Sequence, residues 1–113
     1  MHEMALCQGL MELIEEQRRV QPFAAVRRIR LAVGALGHVD PRALTFAFEV
    51  HAKDTVAEDA ELAIDELPGE AWCMGCGERV TLAARGDPCG RCGSYQLIVQ
   101  QGEELKLTEL EVI

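Results

Sequence analysis

The start of the chain carries a helical pattern of apolar positions. In residues 3–20 apolar side chains recur at spacings of three and four, which predicts an amphipathic helix with one buried face. Pro22 follows closely and should end this helix, because proline lacks the backbone N–H that would continue it. Cys7 lies on the apolar stripe, so we interpret it as a buried helix residue. The stripe consists of Met4, Cys7, Leu10, Met11 and Ile14.

A strand and a second helix follow. Residues 26–33 alternate between apolar and basic side chains, as a half-buried strand does. Asp40 and Pro41 then predict the start of a helix, with Asp40 as N-cap and Pro41 at the first helical position. Residues 60–67 alternate again and predict a second strand. This order of elements is typical of an α/β layer in which helices cover one face of a small sheet.

The pattern changes after the turn signal at Pro68-Gly69. Residues 73–93 hold four of the five cysteines and show no periodic apolar pattern. Strand periodicity returns at 95–100 and 105–113, and the turn between these strands predicts a hairpin. We therefore predict an α/β (α+β) fold, with two helices on a small mixed sheet and an inserted four-cysteine, zinc-ribbon-like domain. The main α/β domain comprises residues 1–68 and 95–113, and the inserted four-cysteine domain comprises residues 69–94.

The charge balance argues against a nucleic-acid partner. The 113 residues carry a formal net charge of -8, with a pI of about 4.8, so the chain repels phosphate backbones. No signal peptide is visible, and no stretch approaches the roughly 20 apolar residues that cross a membrane. We therefore expect a cytoplasmic protein without membrane contact, whose reduced cysteines favour metal binding over disulfides.

Four cysteines occur as two CxxC pairs. Cys73 and Cys76 form the first pair, and Cys89 and Cys92 form the second after twelve intervening residues. This spacing is typical of a tetrahedral four-thiolate zinc site. Glycines directly after the second cysteine of each pair allow a tight turn, which makes each half a zinc knuckle. Four cysteines close the coordination shell, so the sequence predicts a structural zinc ion without an open position for chemistry.

Other chemistry at these cysteines is less well supported. Disulfides do not suit a reducing compartment, and two CxxC pairs without a thioredoxin-like setting do not suit redox catalysis. An iron–sulfur cluster is compatible with four thiolates, although the tight ribbon spacing favours zinc.

The N-terminus offers a second set of metal donors. A free α-amine has a pKa of about 8, so a metal can displace its proton at neutral pH. His2 could add its imidazole and its amide nitrogen, and such donors suit square-planar nickel(II) or copper(II). Glu3 could add its amide or its carboxylate, and Asp40 an oxygen if the terminus folds near it. The alternative is that His2 is a surface residue on a frayed terminus.

The remaining histidines and a basic stretch have simpler interpretations. His51 lies on the apolar stripe of the second helix and is interpreted as a core or boundary residue rather than a ligand. His38 lies in a glycine-rich turn and is expected in a solvated loop. Arg27, Arg28 and Arg30 form either a solvated strand face, which we favour, or a surface for an acidic partner.

Several short segments also occur in a specific order along the chain. They are Met1-His2-Glu3-Met4, Val33-Gly34-Ala35-Leu36, Val39-Asp40-Pro41, Phe46-Ala47-Phe48-Glu49, Pro68-Gly69-Glu70-Ala71-Trp72-Cys73, Asp87-Pro88-Cys89 and Cys92-Gly93-Ser94. In this order they resemble the HypA/HybF family of hydrogenase-maturation nickel metallochaperones, over essentially the whole chain.

The resemblance implies a non-enzymatic function. Nickel is expected in the N-terminal domain, with His2 as the firmest ligand and Met1 and Glu3 as further ligands. Zn(II) is then structural and Ni(II) is the transported ion. The expected partners are the nickel-delivery GTPase of the hydrogenase maturation system and the large subunit of nickel–iron hydrogenase, and some relatives also serve urease. The sequence leaves open whether the chain is a monomer or a homodimer.

Three other classes of protein compete with a nickel carrier. A zinc-ribbon interaction module would bind only zinc and leave His2 inert. A nucleic-acid-binding ribbon would need a basic, aromatic surface, whereas residues 70–95 hold three arginines against three carboxylates. An enzyme is not expected, because no nucleophile–base pair or open metal site stands out in the sequence.

Overall fold

The computed structural model describes residues 2–113, which form two helices and six strands. The helices are α1 (His2–Val20) and α2 (Pro41–Ala52). The strands are β1 (Val26–Gly34), β2 (Glu61–Leu67), β3 (Gly69–Cys73), β4 (Glu78–Leu82), β5 (Leu97–Gln101) and β6 (Leu105–Val112). They form two three-stranded sheets, with the orders β2-β1-β6 and β4-β3-β5. These elements confirm the predicted α/β (α+β) class.

The chain divides into two compact units. The first comprises residues 1–31, 39–64 and 107–113, and the second comprises residues 32–38 and 65–106. The second unit contains all four cysteines of the CxxC pairs. It also contains β5, which pairs with β3, and it is therefore wider than the predicted inserted domain of residues 69–94. As metal-binding domains, 1–68 with 95–113 and 69–94 stay a prediction.

In the first unit, α1 buries the face that the sequence predicts, and α2 buries an apolar face of its own. On α1 the buried residues are Cys7, Leu10 and Ile14, three members of the predicted stripe. The helix ends at Val20, just before Pro22, as expected. On α2 the buried residues are Leu44, Ala47, Phe48 and Ala52. The two helices contact each other, so their stripes share one aliphatic core.

The start of α2 is fixed by the predicted N-cap. Asp40 has an extended backbone, and its Oδ1 accepts a hydrogen bond of 2.9 Å from the backbone N–H of Arg42. Pro41 occupies the first turn, where its missing N–H costs nothing. The cap therefore satisfies one of the N–H groups that a helix leaves without an internal acceptor.

Replacing this cap should weaken the protein measurably. We expect Asp40→Ala to lower the free energy of unfolding by about 1 kcal/mol, because the N–H of Arg42 loses its acceptor. Asp40→Asn is the matched control, since asparagine caps about as well as aspartate. Urea unfolding followed by circular dichroism measures both variants, and an equal loss in the two would contradict the capping role.

The basic stretch of β1 forms ion pairs with neighbouring strands. Arg28 lies 3.2 Å from a carboxylate oxygen of Glu61 on β2. Two more pairs join β1 to β6, Arg30 with Glu109 at 3.4 Å and Arg27 with Glu111 at 3.8 Å. Exposed pairs of this kind contribute about 1 kcal/mol or less each. Since all three guanidinium groups face carboxylates of the same chain, they do not form an open basic surface.

The first sheet is mixed, as predicted. Backbone N–H groups of Ala24 and Gly34 donate to the carbonyls of Ile113 and Glu104, both at 2.7 Å, so β6 runs antiparallel to β1. On the other side of β1, the N–H of Ala35 donates to the carbonyl of Leu67, the last residue of β2, at 2.9 Å. The C-terminal ends of β1 and β2 therefore lie side by side, and α2 connects these two strands as a crossover helix.

The predicted hairpin of residues 95–100 and 105–113 is wrong. β5 pairs antiparallel with β3 in the second sheet, whereas β6 lies beside β1 in the first sheet. Between them Gly102 adopts a φ of +113, and a Cβ there would lie 2.6 Å from the Cα of Gly69. The segment that resembles a hairpin turn therefore carries the chain from one sheet to the other.

The second unit has a small core of its own. Its sheet turns one face inward, and β3 pairs with β4 and β5 on either side. The buried residues on this side are Leu36, Ala71, Cys73, Val80, Leu82 and Cys89, with Leu97 and Val99 packed against them. Two of the six buried residues are cysteines, so the apolar core and the cysteine cluster are continuous.

Candidate metal centres

The four predicted cysteines lie together at one end of the second sheet. Their sulfur atoms all lie within 4.8 Å of one another. Cys73 Sγ is 3.5 Å from Cys92 Sγ, and Cys76 Sγ is 3.9 Å from Cys89 Sγ. Zn–S bonds of about 2.3 Å place the corners of a tetrahedron about 3.8 Å apart, so these separations fit a single tetrahedral ion.

Each CxxC pair is a tight turn of the zinc-knuckle type. Gly77 and Gly93 follow the second cysteine of each pair, and both have a positive φ, +67 and +77. The N–H of Gly77 donates to the Cys73 carbonyl and that of Gly93 donates to the Cys89 carbonyl, each at 2.8 Å. Left-handed backbone of this kind favours glycine, which explains why glycine occupies both positions.

The backbone also points at one of the sulfur atoms. The N–H groups of Cys92 and Arg91 lie 3.5 and 3.4 Å from Cys89 Sγ, and their hydrogen bonds lower the pKa of this thiol to about 6. At Cys76, removal from water and then the neighbouring thiols raise the pKa to about 12. A set in which one sulfur readily becomes a thiolate, with three more beside it, is the donor chemistry that a soft or borderline cation requires.

Two of the three N-terminal donors, His2 and Glu3, lie on the first turn of α1. His2 is exposed, and Met1 lies outside the described residues. The carboxylate of Glu3 accepts a hydrogen bond of 3.3 Å from the backbone N–H of Asp40. Hydrogen bonds from the N–H of Glu3 itself and from that of Asp40 lower the pKa of this carboxyl. Glu3 therefore lies, ionised, beside Asp40, the residue that the sequence suggests as an extra oxygen donor.

The remaining cysteine and the histidines at positions 38 and 51 do not belong to the cysteine cluster. Cys7 is fully buried, and its thiol donates to the carbonyl of Leu44 at 3.6 Å, as expected for a core residue. Burial raises the pKa of the Cys7 thiol. His51 is partly buried, with no hydrogen-bond partner for Nε2 among the described residues. His38 is exposed in a loop, with a φ of +58.

Two further findings concern the described residues as a whole. Within residues 2–113, the four cysteines are the one cluster of three or more histidine, cysteine or acidic side chains with the geometry to hold a metal ion. None of the helices described over the same residues is both long and apolar enough to span a membrane.

Comparison with known proteins decides the family. The sequence model of the family described as "Hydrogenase/urease nickel incorporation, metallochaperone, hypA" matches residues 1–112. The chain belongs to the HypA family. This confirms the resemblance seen in the sequence, and it makes the chain a maturation factor rather than an enzyme.

Relatives of known name cover the chain almost completely. A HypA hydrogenase maturation factor of Rhodopseudomonas palustris (strain TIE-1) is 52% identical over 112 residues, which is 99% of both chains. The factor named HypA 2 of Bradyrhizobium diazoefficiens is 51% identical over the same span.

Two solved HypA structures share the fold. The solution structure of the Ni metallochaperone HypA from Helicobacter pylori matches with a TM-score of 0.69 and 26% identity, over 98% of this chain and 97% of that one. A second solution structure of a HypA protein matches with a TM-score of 0.71 and 28% identity, over 100% and 97%. The arrangement of helices and sheets described above is therefore that of the HypA family.

Proposed function

We propose that this HypA protein carries Ni(II) on its N-terminal residues and delivers it for hydrogenase maturation. The ligands are the amine of Met1, the imidazole and amide nitrogen of His2, and Glu3. The observation that carries the proposal is the family membership together with an exposed histidine at position 2, on the first turn of α1. Zn(II) held by the four cysteines is a structural ion in this proposal.

The position of His2 at the start of a helix favours this chemistry. The first four N–H groups of an α-helix have no acceptor within the helix. The His2 amide can therefore lose its proton to a metal without breaking a helical hydrogen bond. An exposed imidazole beside it costs little to reorient, so the site can be both accessible and labile.

Glu3 has a more specific role than a free carboxylate. Its carboxylate already accepts hydrogen bonds from its own N–H and from the N–H of Asp40. We propose that this contact holds the N-terminus against the start of α2, so that the amine and His2 meet nickel in a defined arrangement. Glu3 then contributes its amide, or its carboxylate after exchanging one of these hydrogen bonds.

The test is a calorimetric titration of nickel into the zinc-loaded native chain and three variants. We expect one nickel per native chain, and loss of this binding in His2→Ala and in a chain with extra residues before Met1. His38→Ala is the matched control, because it removes another exposed histidine. Undiminished 1:1 binding in the first two variants would reject the site.

Nickel affinity should fall as the pH is lowered. The ligands must lose protons to bind the metal, so protons compete with nickel for the amine and the imidazole. We expect the apparent association constant to decrease steadily from pH 8 to pH 6, with proton release on binding. Calorimetry in buffers of different ionisation enthalpy measures that release, and binding without any proton release would contradict these ligands.

The partners follow from the same proposal. We propose a cytoplasmic protein that works with the nickel-delivery GTPase and the hydrogenase large subunit, without nucleic-acid or membrane partners. A homodimer is compatible with this function, and sedimentation of the zinc-loaded chain measures the oligomeric state.

The rival function, a zinc-ribbon interaction module, predicts that purified, untagged protein takes up zinc only. Nickel uptake that leaves the zinc content unchanged excludes that rival.

A further inference from the structure

The outer face of the second sheet carries an exposed tryptophan. Trp72 lies in the central strand β3, directly opposite Ile98 of β5 and Arg79 of β4. Residues directly opposite in an antiparallel pair point to the same side of the sheet. Trp72 is 40% exposed and Ile98 is 53% exposed, whereas their neighbours Ala71 and Cys73 on the other side are buried. We call Trp72, Ile98 and Arg79 the outer-face cluster.

Exposed apolar surface continues from this cluster toward the CxxC pairs. Met74 and Tyr95 are 62% and 74% exposed, and the N–H of Met74 donates to the carbonyl beside Tyr95 at 2.9 Å. Four large apolar side chains are thus exposed at neighbouring backbone positions of one small unit. Tryptophan, tyrosine, methionine and arginine are the residues enriched at the centres of protein interfaces.

The arginine of the cluster lacks an internal partner. Ion pairs engage most arginines of the described chain, including Arg85 with Glu103 and Arg91 with Glu78 in this unit. Arg79 is exposed and has no carboxylate within ion-pair distance in residues 2–113. Glu70 lies on the same side of the sheet, two residues before Trp72 on β3, and is paired with Thr81 and Gln101. A partner therefore meets one positive group beside an aromatic ring, with a negative group further along.

These observations define the occupant. We propose that the outer-face cluster docks a short segment of a partner protein that places a carboxylate against Arg79 and an apolar side chain against Trp72 and Ile98. The surface has room for such a segment, because three strands of five residues span about 16 by 14 Å, or about 220 Å². The proposal does not depend on nickel binding, so His2→Ala should leave docking intact.

Two other occupants fit less well. A stable homodimer needs roughly 800 Å² from each subunit, several times what this face offers. A nucleic acid would meet seven acidic residues against four basic ones in this unit, and four metal-bound thiolates would add further negative charge. A short protein segment with a single carboxylate matches both the area and the charge.

The test starts from random peptides of about twelve residues displayed on phage, selected against the full chain loaded with zinc. We expect enriched peptides to carry an acidic residue next to an apolar one. A synthetic peptide of the selected sequence should bind Trp72→Ala and Arg79→Glu at least about tenfold more weakly than the native chain. Replacing its carboxylate with lysine should restore binding to Arg79→Glu. Zinc content and circular dichroism establish that each variant is folded.

Arg42 and Phe46 on α2 provide the matched control. They are likewise an arginine without an ion pair in the described chain and, four residues on, an exposed aromatic side chain. Arg42→Glu and Phe46→Ala should bind the selected peptide as the native chain does. No enrichment, peptides without a carboxylate, or equal binding to the Trp72 and Arg79 variants would each overturn the proposal. So would displacement of the peptide by single-stranded DNA, or a dimer that Trp72→Ala dissociates.

Discussion

Removing zinc should unfold the second unit while α1 and α2 stay helical. The apolar cluster behind the sheet β4-β3-β5 has only six buried residues, and two of them are cysteines of the metal cluster. Metal binding to such a site supplies about 10–16 kcal/mol, comparable to the entire stability of a typical domain. Without the ion, four thiols would crowd within 4.8 Å, and the short strands β3, β4 and β5 would lose the link between the two knuckles.

The measurement combines metal analysis with amide hydrogen exchange. After chelation, or in Cys76→Ser, we expect less than one zinc per chain and loss of exchange protection in residues 69–101. Protection in α1 should persist, because its buried face packs on α2 within the first unit. Cys76 is the informative position, since it is exposed and its loss removes a ligand without opening a cavity in the core.

Cys7→Ala is the matched cysteine control. Cys7 is buried in the first unit and does not belong to the cluster. Its replacement should leave the zinc content at one per chain and the second unit protected. If the chelated native chain keeps full protection in residues 69–101, the ion does not stabilise this unit and the structural role proposed for zinc is wrong.

Local signals in the sequence were sufficient for much of the fold. The apolar stripe of α1 and the cap at Asp40 depend on interactions within a few residues, and the structure contains both. The outcome for β5 and β6 differs because it depends on distant residues. Gly102 fits closely against Gly69, thirty-three positions earlier, and no local pattern distinguishes that turn from a hairpin.

Strands β3 and β4 of the second unit are not predicted from the sequence, for a related reason. β3 and β4 do alternate, but each has only two inward side chains, Ala71 with Cys73 and Val80 with Leu82. Alternation over five residues is too short to recognise, particularly when one inward residue is a metal-ligand candidate. The same alternation, once seen, assigns Trp72 and Arg79 to the outer face.

The candidate sites differ in how far sequence can define them. Spacing alone identifies the four cysteines as a candidate metal site, because two CxxC pairs twelve residues apart are typical of one tetrahedral ion. The contact between Glu3 and Asp40 spans thirty-seven positions and follows from the packing of α1 on α2. The nickel ligands themselves rest on the family resemblance and on the chemistry of a histidine at position 2.

Gly34→Ala should destabilise the zinc-loaded chain by about 3 kcal/mol or more. A Cβ at Gly34 would lie 2.0 Å from the carbonyl oxygen of Gly102, 2.2 Å from its carbon and 2.7 Å from the nitrogen of Glu103. All three are backbone atoms, so no side chain can rotate to make room. The N–H of Gly34 also donates to the Glu104 carbonyl at 2.7 Å, which fixes the two segments against each other.

Two other glycines distinguish this clash from a general effect of alanine. Gly90 lies in the same unit and Gly9 lies in α1, and a Cβ at either would meet nothing within 4 Å. Gly90→Ala should be nearly neutral, and Gly9→Ala should stabilise by about 0.5–1 kcal/mol, because alanine is the better helix former. Calorimetric melting compares the three variants, and we expect Gly34→Ala to melt about 10–20 °C below the native chain. A Gly34→Ala protein that melts with the Gly90→Ala control would mean that β1 and the Gly102 turn can separate freely. In that case the close contact between Gly34 and Gly102 would not be what keeps β5 and β6 in different sheets.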